Sequence, residues 1–255
     1  DSSSKSSLRG KMLAKHLGID FSIKNITETL VAIGCYQWRD KAIQRVFPEY
    51  TSQWKNKITI SNAMNGQINH FTLVVENPEG EQFSQILGLN EYLTIIAATN
   101  YKQRVRKSIE YFHADRLNYA VIGTPNKLEY DQGFFVKNGD GSADIKPIAH
   151  LYKSQVYALA RHLELPNEIC RATPTTDTYS LSQGQDEFYF SLPYQKMDIA
   201  LYYKNNQFTA LALADKLNLT LDQAEYVYND IDKKRSTTHY QHVSPYLLDE
   251  VSKHV

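Results

Sequence analysis

Cysteine is scarce: Cys35 and Cys170 are the two thiols in 255 residues, they lie far apart, and neither belongs to a CxxC pair or has a histidine partner nearby. That spacing argues against a disulfide framework or a zinc site and suits a reducing compartment. Long hydrophobic runs are missing too, with no stretch of transmembrane length and no signal peptide, so the sequence reads as cytoplasmic and independent of membrane. Charge of one sign is not in excess, because 28 Lys and Arg balance 28 Asp and Glu. No global field therefore draws the chain to nucleic acid, and any phosphate binding must come from local clusters. Internal repeats, low-complexity tracts and a Walker loop are also absent. What is present is 42% hydrophobic residues with 18 tyrosines and 10 phenylalanines, enough for a substantial core.

Along the chain, a serine-rich start predicts a helix over about Ser7 to His16, ended by Gly18. DFSIKNI (Asp20 to Ile26) alternates like a strand, and ITETLVAIG opens a second helix with Thr27 as its cap. From Cys35 to about Leu87 the pattern changes to KITIS (Lys57 to Ser61), HFTLVVE (His70 to Glu76) and EQFSQIL (Glu81 to Leu87), with NPEG as a turn. This predicts an inserted β-hairpin or meander. A long helix follows over about Asn90 to His113, carrying KQRVRK at Lys102 to Lys107. LNYAVIG (Leu117 to Gly123) has the apolar, β-branched content of a buried strand. Tyr152 to Pro166 predicts an amphipathic helix, Arg171 to Phe188 an irregular segment, and the end three helices: Tyr194 to Tyr203, Thr209 to Leu217 and Leu221 to Lys233. The organisation expected is an α/β domain over residues 1–193, with its β insert at about 35–88, and a helical cap over 194–255.

The chemistry concentrates between Gly123 and Lys153. Thr124 opens a loop at what would be the carboxyl end of a strand, where open α/β sheets collect ligands. Glu129 offers a hard carboxylate for Mg²⁺, the turn KNGDG (Lys137 to Gly141) lets backbone approach a ligand closely, and Lys137, Asp144 and Lys153 add charges of both signs. Taken alone, Glu129 also suits a helix start and Lys137 with Asp144 an ion pair across the turn. His113, His150, His162 and His242 show no metal-ligand spacing.

With these residues in hand the chain resembles the NAD synthetases, ligases of the ATP pyrophosphatase superfamily. The resemblance rests on KQRVR (Lys102 to Arg106), GTPNKLEY (Gly123 to Tyr130), GFFVKNGDGSAD (Gly133 to Asp144), LYK (Leu151 to Lys153), PTTD (Pro174 to Asp177) and LPY (Leu192 to Tyr194), in order over residues 100 to 200. It implies a doubly wound, mostly parallel α/β sheet of the adenine nucleotide α-hydrolase type and ATP-dependent amidation of deamido-NAD by ammonia through an adenylylated intermediate. Thr124, Lys153 and Thr175 would contact ATP, Glu129 would ligate Mg²⁺, and Arg104, Lys137, Asp144 and His239 would contact deamido-NAD. Lys137, Asp140 and Asp177 would form the catalytic set, with Asp177 handling ammonia or capping a turn and Asp140 equally open to a turn role. A homodimer is implied, with free ammonia or a separate glutaminase supplying nitrogen.

The superfamily's SGGxDS phosphate loop is not found, so the first strand and helix of the fold are expected to be missing. A truncated nucleotide-binding or dimerisation remnant is the alternative function. Tyr240 follows His239 where the family commonly has lysine. A third reading takes LALADKLNLTLDQAEYVYNDI (Leu211 to Ile231) as a helix-turn-helix DNA reader. Asp222, Glu225 and Asp230 on its second helix would repel phosphates, so no nucleic-acid partner is expected.

Overall fold

The computed structural model describes residues 4–60, 70–175, 179–184, 188–190 and 192–248. Helix α1 (Ser4–Leu17) ends where Gly18 adopts φ 65°. The alternating segment after it does not become a strand: Asp20 to Ile26 runs without ladder pairing, and Ile19, Phe21 and Ile23 stand exposed. Alternation gives a segment one apolar face, but a strand also needs a neighbour for its N–H and C=O groups, and no described residue supplies one. Helix α2 (Thr27–Ala32) begins on Ile26, so Thr27 is its first residue and not its cap; Asn25 Oδ1 accepts from the Thr27 N–H at 2.9 Å. Gly34, at φ 78°, turns the chain into α3 (Cys35–Gln44), so the stretch where the β insert was expected to begin, at about residue 35, is a helix, and strands start only at Lys55.

The insert is an antiparallel meander of β1 (Lys55–Ile60), β2 (Phe71–Glu76) and β3 (Gln82–Ile86), in that spatial order. Its register pairs Lys57 with Val74 and Val74 with Ser84. Asn77 fixes the turn between β2 and β3 because its side-chain oxygen accepts from the Glu81 N–H at 2.8 Å, as expected of asparagine in a turn. One face of the meander, with Ile58, Leu73 and Val75, is buried against Ala42 and Ile43 of α3 and Ile95 of α4 (Leu89–Leu117). Each such side chain contributes roughly 1.5–3 kcal/mol by leaving water.

The free edge of β1 is closed by the segment read as irregular. Ser180 Oγ accepts from the Asn56 N–H at 2.8 Å, Leu181 N donates to the Asn56 carbonyl at 3.1 Å, and the Gln183 amide donates to the Ile58 carbonyl. Ser180 therefore satisfies backbone that an open edge would leave exposed.

Helix α4 runs to Leu117 and stops where Asn118 takes φ 52°. Leu117, expected in a strand, is thus its last residue. Parallel pairing among the described residues is the single bridge of Ile122 with Ile145, held by Gly123 N to the Ile145 carbonyl at 2.7 Å and Asp144 N to the Val121 carbonyl at 2.9 Å.

Helices α5 (Lys127–Asp131), α6 (Lys153–His162) and α7 (Asn167–Cys170) follow, then α8 (Tyr194–Asn205), α9 (Ala210–Leu217) and α10 (Leu221–Thr238), with a 3₁₀ turn at His239–Gln241. Thr209 and Thr220 cap α9 and α10 by accepting from Ala212 N and Gln223 N. The last three helices bury Met197, Leu201, Leu213, Val227 and Ile231 in one core, which also takes Leu128 of α5. Two ties bind α10 to α5. Arg235 grips Asp131 with two nitrogens at 2.7 and 2.8 Å, and Thr238 donates to the Gln132 carbonyl at 3.4 Å. No described helix is long and apolar enough to cross a membrane.

Candidate active site

The loop after Gly123 becomes a helix start because Asn126 and Glu129 form a reciprocal capping box. Asn126 Oδ1 accepts from the Glu129 N–H at 3.2 Å, and Glu129 Oε2 accepts from the Asn126 N–H at 3.0 Å. Lys127 N donates to the Leu151 carbonyl at 2.8 Å, which sets the starts of α5 and α6 side by side. Lys153, the first residue of α6, then reaches Glu129 Oε1 at 3.1 Å. Both side chains are largely buried, at 16% and 13% exposure, so water screens their attraction weakly.

The amino end of α6 has a second acidic partner that sequence reasoning missed. Asp198 of α8 accepts from the N–H groups of Lys153 at 3.2 Å and Ser154 at 2.7 Å. A carboxylate at a helix amino terminus satisfies orphan donors and complements the dipole. Burial pushes the Asp198 carboxyl up from its usual pKa, and the N–H groups of Ser154 and Lys153 pull it back. The signal lay in MDIAL (Met197 to Leu201), where one aspartate interrupts a buried apolar stripe.

A second group of charges assembles around Lys137. Its ammonium donates to the Tyr240 carbonyl at 2.8 Å and lies 5.7 Å from the Tyr240 ring, while Arg104 Nε of α4 donates to the Lys137 carbonyl at 3.2 Å. Arg104, Lys137 and the turn that holds His239 are thereby brought together; His239 itself is exposed. Asp144 points elsewhere: Oδ2 accepts from the Val121 N–H at 2.7 Å, and Oδ1 lies 3.4 Å from the Tyr111 hydroxyl. It pins the segment leading to Gly123 instead of pairing with Lys137.

Asp140 accepts from the Val136 N–H at 2.9 Å, the turn role that was open for it. The glycines of this turn admit the chain's own side chains. A Cβ on Gly141 would fall 2.3 Å from Phe135, and one on Gly139 3.0 Å from Gln103. Gly133 has the sharper requirement, since its φ is 70° and a Cβ would sit 2.3 Å from Thr238. Thr124 is exposed just before α5, and Thr175 is exposed and bridged to Gly184. Asp177 lies outside the described residues. Among the described residues no group of three His, Cys, Asp or Glu side chains is arranged to hold a metal.

A capped loop that presents a carboxylate and a lysine beside an α/β core, with a second cationic group on a neighbouring turn, is the equipment of a nucleotide-handling enzyme. The family model described as NAD synthase matches residues 6–241, and the chain belongs to that family. The NH(3)-dependent NAD(+) synthetase of Rhizobium meliloti (strain 1021) is 54% identical over 254 residues, covering 99% of this chain and 76% of the relative. Among solved structures, NMN synthetase from Francisella tularensis aligns with TM-score 0.60 at 18% identity over 98% of this chain and 75% of the other. The NH3-dependent NAD synthetase from Campylobacter jejuni subsp. jejuni NCTC 11168 gives TM-score 0.55 at 20% identity over 98% and 75%. These structural likenesses carry the fold, the Rossmann-like α/β type expected from the motifs.

Proposed function

We propose that the protein converts deamido-NAD to NAD, using ATP to activate the nicotinate carboxylate and ammonia as the nitrogen donor. The observation that supports it most is the 54% identity over 99% of the chain to a protein named for that activity, together with the meeting of Glu129 with Lys153 and of Lys137 with Arg104. In this reading a carboxylate oxygen of the dinucleotide bonds to the α-phosphorus of ATP as the bond to pyrophosphate breaks. Ammonia then bonds to the acyl carbon, AMP departs, and the new nitrogen loses a proton.

The residues contribute position and charge. Lys153 neutralises phosphate oxygens at the amino end of α6, with Thr124 and Thr175 on the nucleotide. Arg104 and Lys137 hold the phosphates of deamido-NAD, with His239 at the adjoining turn and Asp144 anchoring the loop beneath. Asp140 and Asp177 are the carboxylates proposed to orient ammonia and receive its proton.

Glu129 suits Mg²⁺ as a partial ligand. A carboxylate is a hard oxygen donor with roughly four acceptor directions, and in Glu129 its two oxygens already meet the Asn126 N–H and the Lys153 ammonium separately. Since among the described residues Glu129 belongs to no group of three His, Cys, Asp or Glu side chains arranged to hold a metal, the remaining ligands would be substrate phosphates and water, the usual pattern for Mg²⁺. When bound, the ion would offset charge on the departing pyrophosphate. We further propose that the chain divides into an α/β body over residues 1–193 and a helical cap from Tyr194, works in the cytoplasm and forms a homodimer. Its nitrogen would come from free ammonia or a separate glutaminase.

The test is direct: incubation with deamido-NAD, ATP, Mg²⁺ and ammonium, followed by chromatography for NAD and AMP. Formation of both in equal amounts is expected. Absence of both would refute the assignment.

A further inference from the structure

The meander treats its two edges differently. On β1 the outward-facing groups of Asn56 and Ile58 are taken up by Ser180, Leu181 and Gln183. On β3 the odd-numbered residues bond to β2, as the two ends of the ladder show: Asn77 N donates to the Glu81 carbonyl at 3.0 Å and Leu87 N to the Phe71 carbonyl at 2.8 Å. The N–H and C=O groups of Gln82, Ser84 and Ile86 therefore point away from the sheet. Among the described residues no hydrogen bond occupies them, and every residue from Gln82 to Ile86 is exposed. Edge strands are ordinarily blunted by a lysine, a proline or a covering segment, and β3 has none of the three. Its sequence QFSQI carries no charge and leaves Phe83 43% and Ile86 57% exposed.

We propose that β3 is a docking edge for a second copy of this chain, the two β3 strands pairing antiparallel about a twofold axis at Ser84. In this register Ser84 faces Ser84 and Gln82 faces Ile86, all of them outward-facing, so roughly six backbone bonds close the seam. Phe83 meets Gln85 on one face of the strand, the face shared with Leu73 and Val75, so the packed side of the meander continues into the second sheet. Charge selects the second copy and its direction. Parallel pairing would set Glu81 against Glu81, whereas the antiparallel register sets each Glu81 beside Leu87 of the other copy. Leu87 leads into Gly88, where no side chain caps the first N–H groups of α4, and the positive end of a helix dipole attracts a carboxylate. Such a seam is smaller than a standard interface, so it operates at high protein concentration. It includes none of Glu129, Lys153, Arg104 and Lys137, and the proposal does not rest on the amidation reading, since association is read without turnover.

Sedimentation of the whole chain and cysteine cross-linking test it. The mass of wild type should rise between about 1 μM and about 1 mM, and Ser84→Lys, which sets two ammonium groups opposite each other, should weaken that step by about tenfold or more. A homodimer through another face would appear in both proteins and drop out of the comparison. Ser84 is exposed, so the variant should keep the wild-type circular dichroism spectrum. Under mild oxidation Ser84→Cys should form a disulfide between copies, because the paired Cα atoms would lie about 5.5 Å apart. Gln82→Cys should not, since its counterparts would lie roughly 14 Å apart along the strands. Cys35 and Cys170 are buried and give little background. The second copy is overturned as occupant, and an extended strand of another protein becomes the one to seek, if wild type gains no more mass than Ser84→Lys. Equal cross-linking at positions 82 and 84, or none at either, would also overturn the proposal.

Discussion

Lys102 provides the sharpest quantitative test, because it is a cation buried in the seam between α3 and α4. It is 8% exposed, and its ammonium lies 5.5 Å from the Tyr36 ring. Burial, aided by the charge of Arg39 and opposed by Cys35 and Asp40, brings its pKa from the usual 10.5 down to about 8. The folded state therefore binds this proton less tightly than the unfolded chain does, and stability must rise with pH between about 8 and 10.5. At about 1.36 kcal/mol per pH unit, the gap corresponds to about 3 kcal/mol of destabilisation at pH 7, falling to about 1.4 kcal/mol at pH 9.5. Lys102→Met keeps the stem's packing and removes the charge. The variant should exceed wild type in urea unfolding at pH 7 by about 2–3 kcal/mol, with the advantage shrinking by about 2 kcal/mol at pH 9.5. Groups that do not interact with Lys102 cancel because both proteins carry them; the Cys35 thiol does not, since Lys102 lowers its pKa, so the same comparison is made on a Cys35→Ala background. A difference independent of pH, or a less stable variant at pH 7, would refute the argument that desolvation dominates at this site.

Four further outcomes follow from the site. Glu129→Gln keeps an acceptor for Asn126 but loses the charge, so turnover should fall by more than about a hundredfold while circular dichroism is retained; full activity would remove the metal role. Arg104→Ala and Lys137→Met should each raise the KM for deamido-NAD by about tenfold or more and leave that for ATP within about twofold, a split that steady-state kinetics resolves. Gly133→Ala places a methyl group 2.3 Å from the Thr238 Cβ at positive φ and should cost more than about 2 kcal/mol, part of it relieved in a Thr238→Gly background, since Thr238→Ala would keep that Cβ. No recovery would locate the strain in φ alone. Asp198→Ala should lower stability by about 1–2 kcal/mol through lost capping of α6, and Asp198→Asn, which keeps one acceptor without a buried charge, should lose less; calorimetry that ranks the two the other way contradicts the capping account.

What was legible in the sequence is what local pattern determines. The meander follows from three short β-rich runs around NPEG, and the three closing helices from apolar spacing with threonine caps. The long helix, expected over about Asn90 to His113, runs from Leu89 to Leu117, begun at Gly88 and ended by the positive φ of Asn118. Parallel strands were not legible in the same way. Asp20 to Ile26 has a strand's alternation, yet a strand exists only where another chain segment offers its hydrogen bonds, and alternation does not encode the partner. In the site, Glu129, Lys137 and Lys153 stand out by residue type and placement, and Arg104 through the family resemblance; the structure sets Glu129 against Lys153 and Arg104 against Lys137. The Tyr240 carbonyl that receives Lys137 has no residue signature, since every residue has one. Asn126 was available as a capping box with Glu129 three residues on, and Asp198 as a lone acid in an apolar run, but both are motifs of structure and not of nucleotide chemistry.

The partners found for the site's cations bear on how substrate is admitted. Lys137 rests on a neutral carbonyl, whereas Lys153 rests on a carboxylate. Moving Lys137 from the Tyr240 carbonyl to a dinucleotide phosphate exchanges a neutral acceptor for a charged one, which strengthens the bond roughly twofold and favours binding without another ion. Moving Lys153 from Glu129 to a phosphate exchanges one anion for another, so its gain is small, and it leaves Glu129 largely buried without its cation. Breaking a buried pair is expensive, up to about 3–5 kcal/mol, and the Asn126 N–H that Glu129 retains offsets part of that cost without supplying a positive charge. Under the proposed roles the nucleotide side would accept phosphates only if positive charge arrived with them to meet Glu129, while the dinucleotide side would have no such condition. On the proposed assignment the Glu129 and Lys153 pair would do more than hold α5 against α6: it would discriminate against ATP that comes without a divalent cation.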